Sequence, residues 1–441
     1  MTNIKEKDSL YNVHSWSAQK EINPKVITKA EGIYFWDSEG NKYYDMSSQL
    51  VNLNLGHGNK NIIQAIKNQA DKLPFFSPAF AIDVRSDAAE AVVKASGMKN
   101  AKVFFTNAGA ESNENAIKIA KQYTGKWKIF SMYRCYHGAS AGAGMLTGEP
   151  RHFANEPGPA GFIKYDGPYA YRAPHQVKFR DEDDVADFYL ELLENQIKYE
   201  GPNQIAAIFL ETVVGSNGIL IPPKKWIQGV RALCTKYDIL MVCDEVMAGW
   251  YRTGKCFAFQ NFDIEPDMVT FAKGVTCGYV PLGGVIMAEK IQKYFDHNKL
   301  MCGLTYNAHP LGCAAAVATL KEYERLGIEE NVAKQGAVLR NLLEEYAEKH
   351  DCVGEVRQIG LFSALEIIRD DEGTPIVEFN EDPEGIMPKI IGMLMKDGFF
   401  TYSHENMIVI APPLTITEEE LREAMKIFDK ILDSVDMMIK E

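Results

Sequence analysis

Five short apolar runs constrain the fold of this chain more than any other feature: AKVFFT (101–106), KIFSM (128–132), IAAIFLE (205–211), ILMVCDE (239–245) and DMVTFA (267–272). Each has strand length, and each is apolar on both alternating faces rather than on one. That is the pattern of strands buried on both sides. Helical spacing of apolar residues marks 61–72, 86–96, about 111–123, and 226–237. Strands interleaved with helices need crossover connections, which give a mostly parallel sheet covered by helices.

From about residue 310 the pattern changes. Two long helical stretches, 309–325 and 328–349, lead into CVGEVRQIGLFSALEII (352–368), a helix near 384–396, short strands near 398–411 and a last helix from Thr417. This reads as α+β. The N-terminal GIYFWDSEGNKYYDM has a short β pattern with a turn at Ser38-Glu39-Gly40 and is expected to pack with the C-terminal part. The expected division is an N-terminal segment 1–60, a large α/β domain 61–308 and a small α+β domain 309–441. The segment 138–176, rich in Gly, Pro, Tyr and Ala, reads as a long irregular loop, which is usually functional or mobile.

The formal net charge of −13 argues against a nucleic-acid backbone as partner. No apolar stretch reaches bilayer length, and the N-terminus lacks a signal-peptide core. The eight cysteines are scattered without a C-x-x-C pair. Reduced thiols and a cytoplasmic location are therefore expected, with no metal site.

Three strand ends carry chemistry. ILMVCDE ends on Asp244-Glu245, and ligands of parallel α/β sheets bind beyond the carboxyl ends of the strands. Alone, such an acid is as often a helix cap or half of an ion pair. DMVTFA runs directly into Lys273; a lysine desolvated there has a lowered pKa and a nucleophilic amine, although a snorkelling side chain is the plainer reading of it alone. VFFTNAGAES runs from strand through a small-residue turn into a helix, a place where backbone N–H groups meet a phosphate, or simply a common turn. It is neither a dinucleotide fingerprint nor a P-loop. Together, a phosphate cradle, an acid, a lysine and the aromatic turn Tyr136-His137-Gly138 are what pyridoxal 5'-phosphate requires.

At this point the chain resembles the class III (ω-amino-acid) aminotransferases of the fold-type-I pyridoxal-phosphate enzymes. The resemblance runs from about His14 to the final helix, through GIYFWDSEGNKYYD, TNAGAESNENAIKIA, YHGAS, IFLETVVGSNGI, CDEVMAGWYRTGK, FAKGVTCGYVPLGG, GLTYNAHPLGCAAA and IAPPLTIT in order. It implies that Lys273 is the Schiff-base lysine and proton shuttle, and that Asp244 pairs with the pyridinium nitrogen. It further implies that Val246 and Tyr136 sandwich the ring, beside His137, and that Gly109 and Ala110 bind phosphate through backbone N–H groups. Glu211 would stand behind the cofactor. Thr305 would reach the phosphate of a neighbouring subunit, making the active unit a homodimer, with a tetramer of paired dimers as the alternative assembly. Trp16 would line the substrate entrance.

The usual carboxylate anchors are absent. Val409 stands three residues before the PPL motif where relatives have Arg, Tyr402 stands where others carry a mobile Arg, and Ser216 replaces a gating Glu. Ala139-Ser140 follows Y-H-G instead of an arginine. Candidate partners for a substrate acid group are then Arg151, Arg172, Arg85 and His404. The GSNG turn and the HSW start are most similar to the branch acting on taurine and β-alanine, with pyruvate or 2-oxoglutarate as acceptor. The same residues would also serve an amino-acid epimerase or an aminomutase, since fold does not decide function. A non-catalytic cofactor-binding protein is the remaining reading.

Overall fold

The computed structural model describes residues 3–173 and 177–440; the end of the irregular segment, 174–176, lies outside them. An N-terminal antiparallel meander comprises β1 (Ile27–Glu31), β2 (Tyr34–Asp37) and β3 (Lys42–Asp45). The central sheet contains β4 (Lys102–Thr106), β5 (Lys128–Met132), β6 (Phe162–Tyr165), β7 (Ile205–Glu211), β8 (Leu240–Asp244), β9 (Met268–Phe271) and β10 (Gly283–Met287). Its order is β4-β10-β9-β8-β7-β5-β6, and β10 alone runs against its neighbours. Every residue of β7, β8 and β9 is buried, as continuous apolar runs require.

All five sequence-read strands are present. β10 and β6 are not among them. β10 opens on Gly283-Gly284, which reads as a turn signal. β6 is only four residues long and sits at the sheet edge, inside the segment expected to be irregular. That segment also forms helix Ala141–Leu146 and a 3₁₀ turn, Pro150–Asn155.

The C-terminal part forms a second, antiparallel sheet of β11 (Val353–Ile359), β12 (Phe362–Ile367), β14 (Ser403–His404) and β15 (Met407–Ile410). The short β13 (Phe399–Phe400) instead pairs in parallel with β3, so the two ends of the chain share one sheet, as expected. The last helix, Glu418–Met438, begins at a capping box in which Thr417 and Glu420 exchange hydrogen bonds. Helix Pro310–Arg325 packs on helices Lys60–Lys72 and Asp83–Ser96.

One fully buried cation joins these parts. Arg252 donates from Nη1 to the carbonyls of Leu361 (2.9 Å) and Pro412 (2.6 Å), and from Nη2 to Ser48 Oγ and Asn54 Oδ1 (both 3.0 Å). Burial lowers its pKa to about 10, which still leaves it charged at neutral pH. Four acceptors from three distant stretches of chain thus depend on one side chain. Arg252→Leu strands them, and stranded buried acceptors cost about 1–3 kcal/mol each. We predict a loss of at least about 3 kcal/mol. The denaturant midpoint of the variant measures it; an unchanged midpoint disproves the joining role.

Candidate active site

Strands β7, β8 and β9 end side by side, with Glu211 opposite Asp244 and Asp244 opposite Thr270. Their carboxyl ends therefore place Glu211, Asp244 and, two residues past β9, Lys273 on one edge of the sheet. This is where a parallel sheet leaves its crevice.

Asp244 is 4% exposed, and a carboxylate so buried needs donors. Its Oδ2 accepts from Asn113 Nδ2 and from His137 Nδ1, both at 2.7 Å. Among the described residues its Oδ1 accepts only the Val246 N–H, at 2.9 Å. Asn113 is itself oriented by Thr270, whose hydroxyl donates to its Oδ1, and by the His137 carbonyl, which accepts from its Nδ2. Burial opposes a charge on His137, but Cys135 and Asp244 beside the ring hold its pKa well above the usual histidine value. A carboxylate with one oxygen doubly donated and the other only once is a ready acceptor for a further N–H.

Lys273 has a left-handed backbone (φ 50°), an uncommon conformation for a residue other than glycine. Burial brings its amine down to about 8, with the carboxylates of Glu211 and Asp244 opposing that shift.

The third strand end, β4, feeds the helix Gly109–Thr124 through Asn107-Ala108. No side chain caps this helix, so its first N–H groups and positive dipole end remain open to an anion. A Cβ on Gly109 would lie 2.8 Å from Val246 Cγ1, and one on Gly138 would lie 2.6 Å from the Ala110 methyl. The cradle, the aromatic turn and the loop after β8 therefore touch, and small residues are what let them do so. Tyr136 borders the same space. Its N–H donates to Glu211 Oε1 (2.7 Å), while Glu211 Oε2 accepts from the Gly215 N–H (2.8 Å). Burial raises Glu211 to about 7.

The structure thus gathers Gly109, Ala110, Tyr136, His137, Glu211, Asp244, Val246 and Lys273 into one cleft. Trp16 lies at its mouth, 63% exposed and edge-on to Tyr136 with ring centroids 6.5 Å apart. Arg151 lies over the Tyr136 ring, 4.0 Å from its centroid. Its Nε donates to Glu149 Oε1 (2.5 Å) and its Nη2 to Ser216 Oγ (3.0 Å). Tyr402 is close enough to Arg151, Arg252 and Glu211 for their charges to bear on its hydroxyl, whose pKa burial raises.

Other candidates are engaged elsewhere. Arg172 donates to Glu366 Oε2 through Nε and Nη2 (3.0 and 2.8 Å) and to the Gly373 carbonyl. Arg85 holds the carbonyls of Phe76, Phe80 and Ala308. Thr305 is exposed, in a stretch bordered by exposed Met301 and Tyr306. Sequence reasoning missed Asn113 and Glu149. Asn113 lies one helical turn after Gly109, on the face toward Asp244, and Glu149 lies two residues before Arg151. Both spacings were readable once the anchors were known.

The donor set fits pyridoxal 5'-phosphate: an open helix start for the phosphate, an under-donated buried carboxylate for a ring N–H, and a lysine of lowered pKa. The comparisons agree. Residues 16–432 match the family described as Aminotransferase class-III. A solved structure of a taurine:2-oxoglutarate aminotransferase from Bifidobacterium kashiwanohense, in complex with PLP and glutamate, is 47% identical, covers 98% of each chain and has a TM-score of 0.95. The diaminobutyrate–2-oxoglutarate transaminase of Halomonas elongata is 30% identical over 95% of this chain and 92% of its own. The putrescine–pyruvate aminotransferase of Pseudomonas aeruginosa is 31% identical over 94% of this chain and 92% of its own. The expected α/β fold of the fold-type-I enzymes holds. The chain belongs to the class-III aminotransferases and is a pyridoxal-phosphate enzyme that passes amino groups to 2-oxo acids.

Proposed function

We propose that the amino donor is an ω-amino acid whose acid group Arg151 holds, with taurine or β-alanine as the type and 2-oxoglutarate or pyruvate as acceptor. The observation that carries this reading is the placement of Arg151. Its face rests on Tyr136, Glu149 and Ser216 fix two of its nitrogens, and Nη1 has no protein partner among the described residues. A guanidinium so fixed presents its remaining N–H groups with little further loss of freedom. The residues that hold acid groups in other branches are not cationic here: Val409 is a buried core residue of β15, and Tyr402 is neutral. Similarity to the taurine:2-oxoglutarate enzyme supports the same donor class.

Each residue then has a task. The start of helix Gly109–Thr124 would bind the phosphate through the Gly109 and Ala110 N–H groups. Asp244 would pair with the ring nitrogen and keep it protonated, with His137 and Asn113 fixing the carboxylate. Val246 and Tyr136 would hold the ring between them. When bound, the cofactor supplies an aldehyde that takes up the amino group and a ring that draws electrons from the donor carbon. Lys273 Nζ would take the proton from that carbon and hold it for return in the 1,3 shift. Trp16 and Tyr402 close the mouth of the cleft.

Homodimerisation completes this reading. Exposed Thr305 and Tyr306, with Phe75, Phe76 and Phe80, form an apolar surface that a second copy would cover, bringing Thr305 to that copy's phosphate. The division at 1–60, 61–308 and 309–441 is retained as a proposal, with helix Pro310–Arg325 as the joint. Among the described residues no helix is long and apolar enough to cross a membrane, and all eight cysteines are free, which supports a cytoplasmic location.

The direct test is a half-reaction without keto acid, following the cofactor's visible absorption as single donors are added. Conversion by taurine or β-alanine supports the reading; conversion only by acid-free amines refutes it. Losing a charge-assisted hydrogen bond costs about 1.5–3 kcal/mol. Arg151→Leu should therefore lower kcat/KM for taurine about ten- to hundredfold, and much less for an acid-free alkylamine. Equal losses for both would deny Arg151 this role. Lys273 must be neutral to capture the cofactor, and its protonated form dominates below its pKa. Uptake of pyridoxal phosphate by the apoprotein should accelerate as pH rises through about 8 and level off above. Stopped-flow absorbance reads it, and continued acceleration past pH 10 would show an unshifted lysine.

A further inference from the structure

Ser216, the residue that fixes Arg151, is followed in the Gly215–Gly218 turn by Asn217, whose side chain is fully buried. Asn217 Oδ1 lies 2.8 Å from His404 Nε2, and Asn217 Nδ2 has no hydrogen-bond partner among the described residues. A buried N–H₂ without an acceptor is costly, and it is rarer than an under-satisfied carbonyl. Amide oxygen and nitrogen are nearly identical in shape, so their assignment follows the network. Turning the amide over lets Nδ2 donate to His404 Nε2. The ring nitrogen then accepts, and the imidazole proton must sit on Nδ1.

His404 is held neutral: burial lowers its pKa to about 4, and the charges of Arg151 and Arg134 push the same way. The Glu405 carboxylate is 3.8 Å from Nε2, beyond hydrogen-bond range. Among the described residues Nδ1 has no partner, and it keeps some solvent access on a side chain 23% exposed. Arg151 and His404 are thus tied to successive residues of one turn, each with an open donor.

We propose that His404 Nδ1–H is a second donor to the substrate's acid group and, beside Arg151, selects a sulfonate over a carboxylate. The inference rests on the reading of Arg151 as the acid anchor. A guanidinium edge matches the two coplanar oxygens of a carboxylate. A sulfonate has a third oxygen out of that plane, and a donor on a separate element can reach it. Asn217 is the positioning residue that sets the tautomer.

The test compares kcat/KM for taurine, β-alanine and an acid-free alkylamine in holoenzyme variants. In His404→Phe, the taurine to β-alanine ratio should fall about tenfold, the effect of one hydrogen bond to a charged group. In His404→Gln, which keeps a neutral N–H donor, much of the ratio should return. Asn217→Leu, which frees the tautomer, should lower the ratio partway. A ratio unchanged in His404→Phe, or no return in His404→Gln, overturns the inference; should the Phe variant fail to hold cofactor, His404→Ala decides by the same ratio. Arg151→Leu run in parallel separates the two readings. If it abolishes the preference for acid donors while His404→Phe leaves the ratio alone, only the role of His404 falls. If it leaves that preference intact, the anchor itself is misassigned.

Discussion

A carboxylate buried at the end of the central strand organises this molecule. Asp244 cannot be left without donors in the middle of a sheet, and the donors it draws come from three different elements. Asn113 comes from the helix after β4, His137 from the turn after β5, and the Val246 N–H from its own loop. Each of those elements also supplies a wall of the cleft. The helix opens on the phosphate cradle, the turn carries Tyr136, and the loop carries Val246. Satisfying one buried charge therefore brings the groups proposed to bind the cofactor into register.

The second constraint lies between the sheets. Arg252 follows the same loop and holds carbonyls of the C-terminal part and polar groups of the N-terminal part. The parallel pairing of β3 with β13 joins the two ends of the chain in the same region. His404 on β14 and Tyr402 just before it belong to the C-terminal part that this joint holds. The site is thus built by the large sheet and closed by residues whose placement depends on long-range polar contacts.

This difference explains what was legible in the sequence. β7, β8 and β9 were readable because a strand buried on both faces must be apolar throughout, and their ends then marked Glu211, Asp244 and Lys273. β10 was not readable, because Gly283-Gly284 resembles a turn, and β6 was hidden in a segment whose composition suggests a loop. Arg151 and Arg172 looked alike in that segment, each an arginine on a Gly- and Pro-rich stretch. Only tertiary pairing separates them: Glu366 occupies Arg172 with two hydrogen bonds, whereas Arg151 is steadied by a neighbour two residues away and keeps an open nitrogen. Asn217 was visible only as part of a turn, because its partner His404 lies 187 residues further along the chain.

Glu211 spans the two halves of the cleft, one oxygen on the Tyr136 N–H and the other on the Gly215 N–H. The turn that begins at Gly215 carries Ser216 and Asn217, so the groups proposed to sort donors hang from the same carboxyl that accepts the Tyr136 N–H. For anyone redesigning this enzyme toward new amines, that linkage makes donor range and coenzyme retention a single trait. Libraries built on the turn will need to be screened for both at once, and variants that accept bulkier donors will tend to shed their coenzyme unless the Tyr136 side is re-optimised with them.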